Sequence, residues 1–184
     1  MLNIRQKISL LALLCVFGLA HGSGITFKAV SVGVDDGVVL LDIAEQYELS
    51  DKMLEALENG VPLSFVTYIN MQRQRGLMWN KDMVELEVEK VLSYHPLSSQ
   101  YRVDNLHTDT RQMFATRDAA LRALGETRDL PLIEEQRLEP SRLYLIDVQT
   151  RHEIDALPLP LRPMAYVSPS WHLSSKVWEW QLKP

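Results

Sequence analysis

Three glutamates in one short stretch are the first candidates for chemistry. Glu85, Glu87 and Glu89 are separated by single apolar residues, so on an extended strand all three side chains project from one face. Closely spaced carboxylates can bind a divalent cation, but such sites usually take their oxygen ligands from a loop that wraps the ion. We therefore interpret the three glutamates as a solvated sheet face, paired with Arg73 and Arg75 of a neighbouring strand, and predict no metal site there.

The histidines and serines do not show spacings typical of catalysis. The four histidines beyond residue 22 are scattered, and no two stand four apart on a predicted helix: His95, His107, His152 and His172. A zinc site assembled from distant strands stays open as an alternative. No serine lies in a G-x-S-x-G elbow, and no glycine-rich phosphate loop is present. We predict neither an enzyme nor a cofactor, and we name no catalytic residue.

Tryptophans near the C-terminal end are the candidate binding residues. Trp178 and Trp180 alternate with Glu179 and Gln181, so both indoles lie on one face of a predicted strand. Tryptophans on strands more often belong to a core than to a binding surface. The alternative hypothesis is an exposed aromatic surface formed by Trp171, Trp178 and Trp180 that binds a peptide, a glycan or a partner protein.

The stretch Val84–Val103 carries the glutamates and predicts a long antiparallel hairpin. Apolar and acidic residues alternate up to Glu89, the alternation fails at Lys90–Val91, and it resumes at Leu92. We interpret the interruption as a β-bulge. The sequence His95–Ser99 predicts the turn, because its proline has a fixed φ angle and its serines form local hydrogen bonds.

The remaining segments predict further strands and two short helices. The dipeptide Asp36-Gly37 between two apolar runs is typical of a hairpin turn. Ser50 and Thr116 are predicted helix N-caps, and Gly60 and Gly125 are predicted left-handed helix ends.

The C-terminal part predicts the last strands of the sheet. The proline-rich segment 157–163 is predicted to lie along a sheet edge in extended form, because prolines lack the donor that a central strand needs. Met164–Pro169 and Val177–Leu182 are predicted closing strands. Together the segments predict a mainly β fold, an antiparallel β-sandwich of about eight strands with two short helical insertions.

Residues 1–22 have the layout of a secretory signal peptide. Arg5 and Lys7 precede an apolar stretch that ends in small residues. This stretch is shorter than the ~20 residues that a membrane span needs. We predict that the signal is cleaved and that residues 23–184 form a single β-rich domain in the periplasm, without a stable membrane span. The alternative is a chain held to the inner membrane by an uncleaved signal.

Cysteine content and charge exclude several function classes. The only cysteine, Cys15, falls within the predicted signal, so the mature chain is predicted to form no disulfide and to have no thiolate metal site or cysteine nucleophile. The net charge is −5, and the predicted signal removes two basic residues and no acidic ones. Nucleic acids and anionic lipid surfaces require clustered lysines and arginines, so neither is a predicted partner.

Several short motifs occur in the order found in one family of exported proteobacterial proteins. They are Leu57-Glu58-Asn59-Gly60-Val61-Pro62-Leu63, Leu92-Ser93-Tyr94-His95-Pro96-Leu97, Gln100-Tyr101-Arg102-Val103, Phe114-Ala115-Thr116, Leu157-Pro158-Leu159-Pro160 and Trp171-His172-Leu173-Ser174-Ser175. Through this combination the chain resembles the uncharacterised domain of unknown function 4390 family over nearly all of the predicted mature chain. The resemblance implies an exported bacterial domain with no established activity, so no catalytic residue is carried over. His152 stands where we expect an apolar residue.

The same resemblance implies a partner in the cell envelope. Members of the family are often encoded beside a membrane sensor kinase of the nitrogen-regulation type. We therefore predict a non-enzymatic periplasmic binding or protein-interaction module, an accessory to a membrane sensor kinase. The alternative is a carrier of an apolar, lipid-like ligand between the two sheets.

Overall fold

The structure is a computed structural model that describes residues 24–76 and 79–184, so the predicted signal peptide lies outside the described residues. The described strands are β1 (Gly24–Asp35), β2 (Val38–Glu48), β3 (Leu63–Arg73), β4 (Lys81–His95), β5 (Gln100–Asn105), β6 (Thr110–Phe114), β7 (Glu126–Glu134), β8 (Tyr144–His152) and β9 (Trp178–Leu182). The described α-helices are α1 (Asp51–Glu58), α2 (Arg117–Gly125) and α3 (Arg162–Val167). Among these described helices, none has the length and apolar character needed to cross a membrane.

The strands form two antiparallel sheets that pack against each other. The smaller sheet has the order β1-β2-β7, and the larger sheet has the order β6-β5-β4-β3-β8-β9. Buried side chains from both sheets meet in shared clusters, as in a sandwich. The predicted mainly β class is therefore confirmed, with one strand and one helix more than expected in the described chain.

The buried side chains fall into two clusters. The first lies where the three helices meet the sheets, and its fully buried members include Met53, Leu57, Leu63, Leu92 and Leu124. The second lies between the sheets farther from the helices, and its members include Val39, Leu41, Ile69, Met71, Tyr144 and Ile146. The helices therefore extend the core beyond the space that the two sheets enclose.

Most of the predicted turns and caps are confirmed. Asp36 and Gly37 have positive φ angles of 48° and 75° and connect β1 to β2. The hydroxyl of Ser50 accepts a hydrogen bond from a backbone amide of α1, and Gly60 follows this helix with a φ of 82°. Thr116 caps α2 in the same way as Ser50 caps α1.

Two details of the predicted central hairpin are wrong. The register between β3 and β4 is continuous where Lys90 pairs with Phe65, so there is no β-bulge at Lys90. Its side chain instead points into the sandwich and is 6% exposed. The guanidinium of Arg73 forms an ion pair with Glu139 rather than with the glutamates of β4.

The segment predicted as the strand Met164–Pro169 is largely the helix α3. A proline stands in the first turn, where its missing amide hydrogen costs nothing, and Ala165 packs fully buried against the core. The preceding proline-rich segment forms turns rather than an extended edge. The prediction for Val177–Leu182 is confirmed, because β9 pairs with β8 over Trp178–Leu182.

Candidate binding surface

The helix α1 is fixed at its first turn by a serine that makes two hydrogen bonds. The Ser50 hydroxyl accepts from the amide of Met53 at 3.3 Å and donates to the carbonyl of Ser170 at 2.6 Å. Met53 and Leu57 then bury the inner face of the helix. These contacts hold α1 beside the 3-10 turn Pro169–Trp171.

The helix α3 is bonded to the segment before it, and the turn Pro169–Trp171 that follows it is held against β8. Arg162 donates from Nε to the carbonyl of Leu157 at 2.7 Å. His152 of β8 bonds through Nδ1 to the carbonyl of Trp171 at 3.0 Å, and its backbone amide donates to the carbonyl of Leu173 at 2.8 Å. The Trp171 side chain is 3% exposed and packs in the first core cluster.

A groove of about 330 Å³ runs between α1 and α3. Most of its lining is apolar and comes from Ala56, Val61, Leu161, Met164 and Trp171, with Lys52, Glu55 and Asn59 beside them. We call this feature the α1–α3 groove. Its volume lies at the lower end of the range of small-molecule pockets, about 300–1,000 Å³.

The segment 159–167, which includes α3, carries several exposed apolar side chains. Leu159, Met164, Tyr166 and Val167 are each at least half exposed, with Val167 at 81%. Scattered exposed apolar residues are normal, but here four fall within nine consecutive positions, and one of them, Met164, lines the α1–α3 groove.

The sequence predicted only Trp171 among the residues of the α1–α3 groove. Four lining residues come from α1 and its C-cap, and their spacings of three and four positions identify one helix face: Lys52, Glu55, Ala56 and Asn59. The α3 residues carried no such signal, because this segment was predicted to be a strand.

The structure separates the three candidate tryptophans. The side chain of Trp171 lies in the core and is 3% exposed, so only the alternative hypothesis of an exposed aromatic surface loses this residue. Trp178 and Trp180 share one face of β9, with parallel rings whose centroids are 5.7 Å apart. Trp180 is 48% exposed, whereas Trp178 is half-buried against the second core cluster.

The glutamates and histidines that were considered as metal ligands do not form such a site among the described residues. Glu85 and Glu87 are exposed, while Glu89 accepts a hydrogen bond from the hydroxyl of Ser64 at 2.5 Å. Within residues 24–76 and 79–184 there is no group of three or more His, Cys, Asp or Glu side chains that could hold a metal ion.

A layer of buried polar side chains crosses the core between the two apolar clusters. Lys90 donates from Nζ to the carbonyls of Leu124 and Glu126 at 3.0 and 2.6 Å, and to the hydroxyl of Thr127 at 2.8 Å. Two of these acceptors belong to the last turn of α2 and its cap, so Lys90 joins β4 to the end of this helix. Glu45 lies in the same layer.

Burial shifts the pKa values of the groups in this layer. It lowers the pKa of Lys90 to about 8, and the charges of Glu45 and Glu126 act in the opposite direction. It raises the pKa of Glu45, whose carboxylate accepts a hydrogen bond from the hydroxyl of Tyr47 at 2.8 Å. Since Lys90 is enclosed by protein acceptors, we interpret the layer as part of the architecture rather than as a catalytic site.

We expect His152 to make the stability depend on pH in the mildly acidic range. Burial lowers its pKa below the ordinary value of 6.5, so between these two values the unfolded chain binds more protons. The contribution of His152 is therefore complete above pH 6.5 and is lost as the pH falls through its folded pKa. In urea denaturation at pH 7 and at pH 5.5, His152→Leu should lose less stability on acidification than the wild type. The exposed His107→Leu is the control and should follow the wild type; equal losses in all three proteins would contradict the prediction.

Comparison with known proteins gives one match. The sequence profile of the family described as Domain of unknown function (DUF4390) matches residues 22–181. No curated protein and no solved structure matches the chain.

Proposed function

The chain belongs to the DUF4390 family, and we propose that it is a non-enzymatic binding module of the cell envelope that docks an apolar segment of a partner protein in the α1–α3 groove. The observation that carries this proposal is the apolar groove with the half-exposed side chain of Met164 in its lining. Leu159 and Val167 add exposed apolar side chains in the same segment of the chain. Apolar anchors that enter a groove supply most of the affinity in many protein interfaces.

Contacts within the protein hold the groove in shape without a bound partner. Trp171 and Ala165 beneath it are buried, and both helices are tied to neighbouring backbone by hydrogen bonds from Ser50 and Arg162. A preformed groove loses little conformational entropy on binding, which favours affinity from a small contact area.

The charges at the groove favour a partner segment that carries both a basic and an acidic residue beside its apolar anchors. The two charged lining residues, Lys52 and Glu55, have opposite signs, and Glu58 of the same helix is paired with Arg117 at 3.8 Å. We propose the periplasmic part of a membrane sensor kinase as the first partner to test, and export by the cleavable signal in residues 1–22 as the route to it.

A photoreactive amino acid at position 164 tests the proposal in intact cells. We expect a crosslink from position 164 to a single envelope protein, whereas the same probe at Leu106, an equally exposed apolar residue in the β5–β6 turn, should not crosslink to it. The captured protein is then purified and titrated against the wild type. We expect Met164→Lys to weaken binding roughly 30-fold, the effect of losing a central apolar anchor, and Leu106→Lys to bind as the wild type does.

Two results would contradict this function. Equal crosslinking from positions 164 and 106 would mean that the groove does not select the partner. Unchanged affinity of Met164→Lys would place the binding surface elsewhere on the molecule.

The second candidate is a carrier of an apolar, lipid-like ligand, and the volume of the α1–α3 groove favours it. The space between the sheets is filled by fully buried side chains such as Leu41, Phe65 and Ile146, so we place the ligand in the groove. Native mass spectrometry of the purified protein should then show a mass added by a lipid, which Met164→Lys removes. A spectrum of the bare chain would support the protein-docking function over the carrier.

A further inference from the structure

The strand β9 lies at one edge of the larger sheet, and polar and apolar residues alternate along it. Within residues 24–76 and 79–184, β9 pairs with β8 alone, so its other edge offers unpaired backbone groups. Trp178, Trp180 and Leu182 lie on the inner face of β9 because they pair with β8 residues that point into the core. Glu179, Gln181 and Lys183 therefore lie on the outer face.

The outer face of β9 places like charges opposite each other. Glu179 pairs directly with Asp147 of β8, and neither belongs to an ion pair among the described residues. Carboxylates in this arrangement destabilise a sheet. Burial and the charge of Glu179 raise the pKa of Asp147 accordingly. Lys183 of the same strand is about 13 Å along the chain from Glu179, which is too far to neutralise it.

We propose that β9 pairs with β9 of a second copy in an antiparallel, two-fold symmetric arrangement centred on Gln181, which joins the two larger sheets into one. In this register Glu179 stands opposite Lys183 of the second copy, and the pair occurs twice by symmetry. On the inner face Trp180 stands opposite Leu182 of the second copy, and Trp178 stands opposite Pro184.

The other symmetric registers of β9 match less well. Directly opposite residues of antiparallel strands share a face, so the two-fold axis must pass through a pair of identical residues. An axis at Glu179 places the two glutamates opposite each other, which is repulsive. An axis at Trp180 places Glu179 opposite Gln181 and leaves Lys183 opposite Val177, so no ion pair forms. Only the axis at Gln181 supplies the missing cation to Glu179.

Sedimentation equilibrium over a concentration series tests this pairing. Residues 1–184 are expressed together, so that any processing of residues 1–22 takes place. One short strand makes a small interface, so we expect a monomer–dimer equilibrium that becomes apparent at high protein concentration. Glu179→Lys and Lys183→Glu each create two like-charged pairs and should weaken dimerisation roughly tenfold or more, whereas the double variant should restore it.

Two controls separate loss of pairing from loss of folding. Glu85→Lys makes the same change on the outer face of β4, inside the sheet, and should leave dimerisation at the wild-type level. Glu179→Lys should raise the melting temperature measured at low concentration, because it removes the repulsion from Asp147 within one chain. A variant that is more stable yet no longer dimerises has lost the interface and not the fold.

Three results would overturn the inference. A wild type that stays monomeric at the highest concentration would mean that β9 does not pair with a second copy. An extended segment of a different protein would then be the candidate partner for this edge. A dimer that neither single variant weakens must use another surface. A double variant that dimerises no better than the single variants would show that Glu179 and Lys183 do not face each other.

Discussion

Gly125→Ala should destabilise the protein by about 3 kcal/mol or more, a large effect for the addition of a single methyl group. A Cβ atom at this position would lie 2.1 Å from the backbone carbonyl oxygen of Glu45, well inside van der Waals contact. Because the obstacle is backbone and not a flexible side chain, α2 can accommodate the methyl group only by moving away from β2.

Movement of α2 would also break the contacts of Lys90. Its two carbonyl acceptors, at Leu124 and Glu126, are the direct neighbours of Gly125. A shift large enough to relieve the clash would leave the buried ammonium group with poorer hydrogen bonds, which adds to the cost of the overlap. We therefore expect a lower urea midpoint with an unchanged denaturant slope.

Gly33→Ala is the matched control for this prediction. Gly33 lies in β1, and a Cβ there would meet no atom within 4 Å. Its replacement should leave the free energy of unfolding within about 1 kcal/mol of the wild type. Similar losses in both variants would mean that alanine acts through the unfolded chain and not through the contact with Glu45.

The sequence predicted the role of Gly125 only in part. Thr116 and the glycine correctly delimit α2, since both end signals depend on the local chain. Gly125 does not adopt the left-handed conformation that we expected, because its φ angle is not positive. It is required for the close approach of α2 to β2, and a contact with residue 45 leaves no mark in the sequence around residue 125.

The same distinction between local and distant causes explains the other outcomes. The hairpin at Asp36-Gly37 and the cap at Ser50 follow from neighbouring residues and were predicted. The helix α3 was missed because its one proline and its apolar residues fit an edge strand equally well, and packing of Ala165 against the core decides between them. The α1–α3 groove therefore could not be predicted, since it needs both helices.

The interruption of the β4 pattern at Lys90 was noticed but wrongly interpreted as a bulge. A lysine at an inward position of a strand breaks the apolar alternation in the same way as a change of register does. The sequence alone cannot distinguish the two, because the acceptors that make a buried lysine tolerable belong to α2 and β7. Only the structure shows that the register is continuous.

Lys90→Met should destabilise the protein by about 3 kcal/mol at pH 7. Methionine fills a similar volume but leaves the carbonyls of Leu124 and Glu126 without their donor, and it removes the cation that compensates the carboxylate of Glu45. Removing one partner from a buried charged group typically costs about 3–5 kcal/mol. The exposed Lys81→Met on the same strand is the control and should change the free energy of unfolding by less than about 0.5 kcal/mol.

A double-mutant cycle with Glu45→Gln tests whether the two charges act on each other. Once Lys90 is methionine, Glu45 is a buried acid without a cation, so Glu45→Gln should cost less there than in the wild type. We expect a coupling free energy of about 0.5–3 kcal/mol from the four urea denaturation curves. Strictly additive effects would show that Lys90 serves only as a donor to the end of α2.

The alkaline pH dependence gives an independent measurement of the buried charge. The folded pKa of Lys90 is about 8, below the ordinary value of 10.5, so between these two pH values the unfolded chain binds more protons than the folded chain. The free energy of unfolding of the wild type, measured relative to that of Lys90→Met, therefore rises between pH 8 and pH 10.5. Below pH 8 the difference between the two proteins should not change with pH. The difference in the free energy of unfolding should be larger at pH 9.5 than at pH 7 by about 2 kcal/mol. An unchanged difference would mean that Lys90 exchanges its proton in the folded protein as a solvent-exposed lysine does, and that burial does not set its charge.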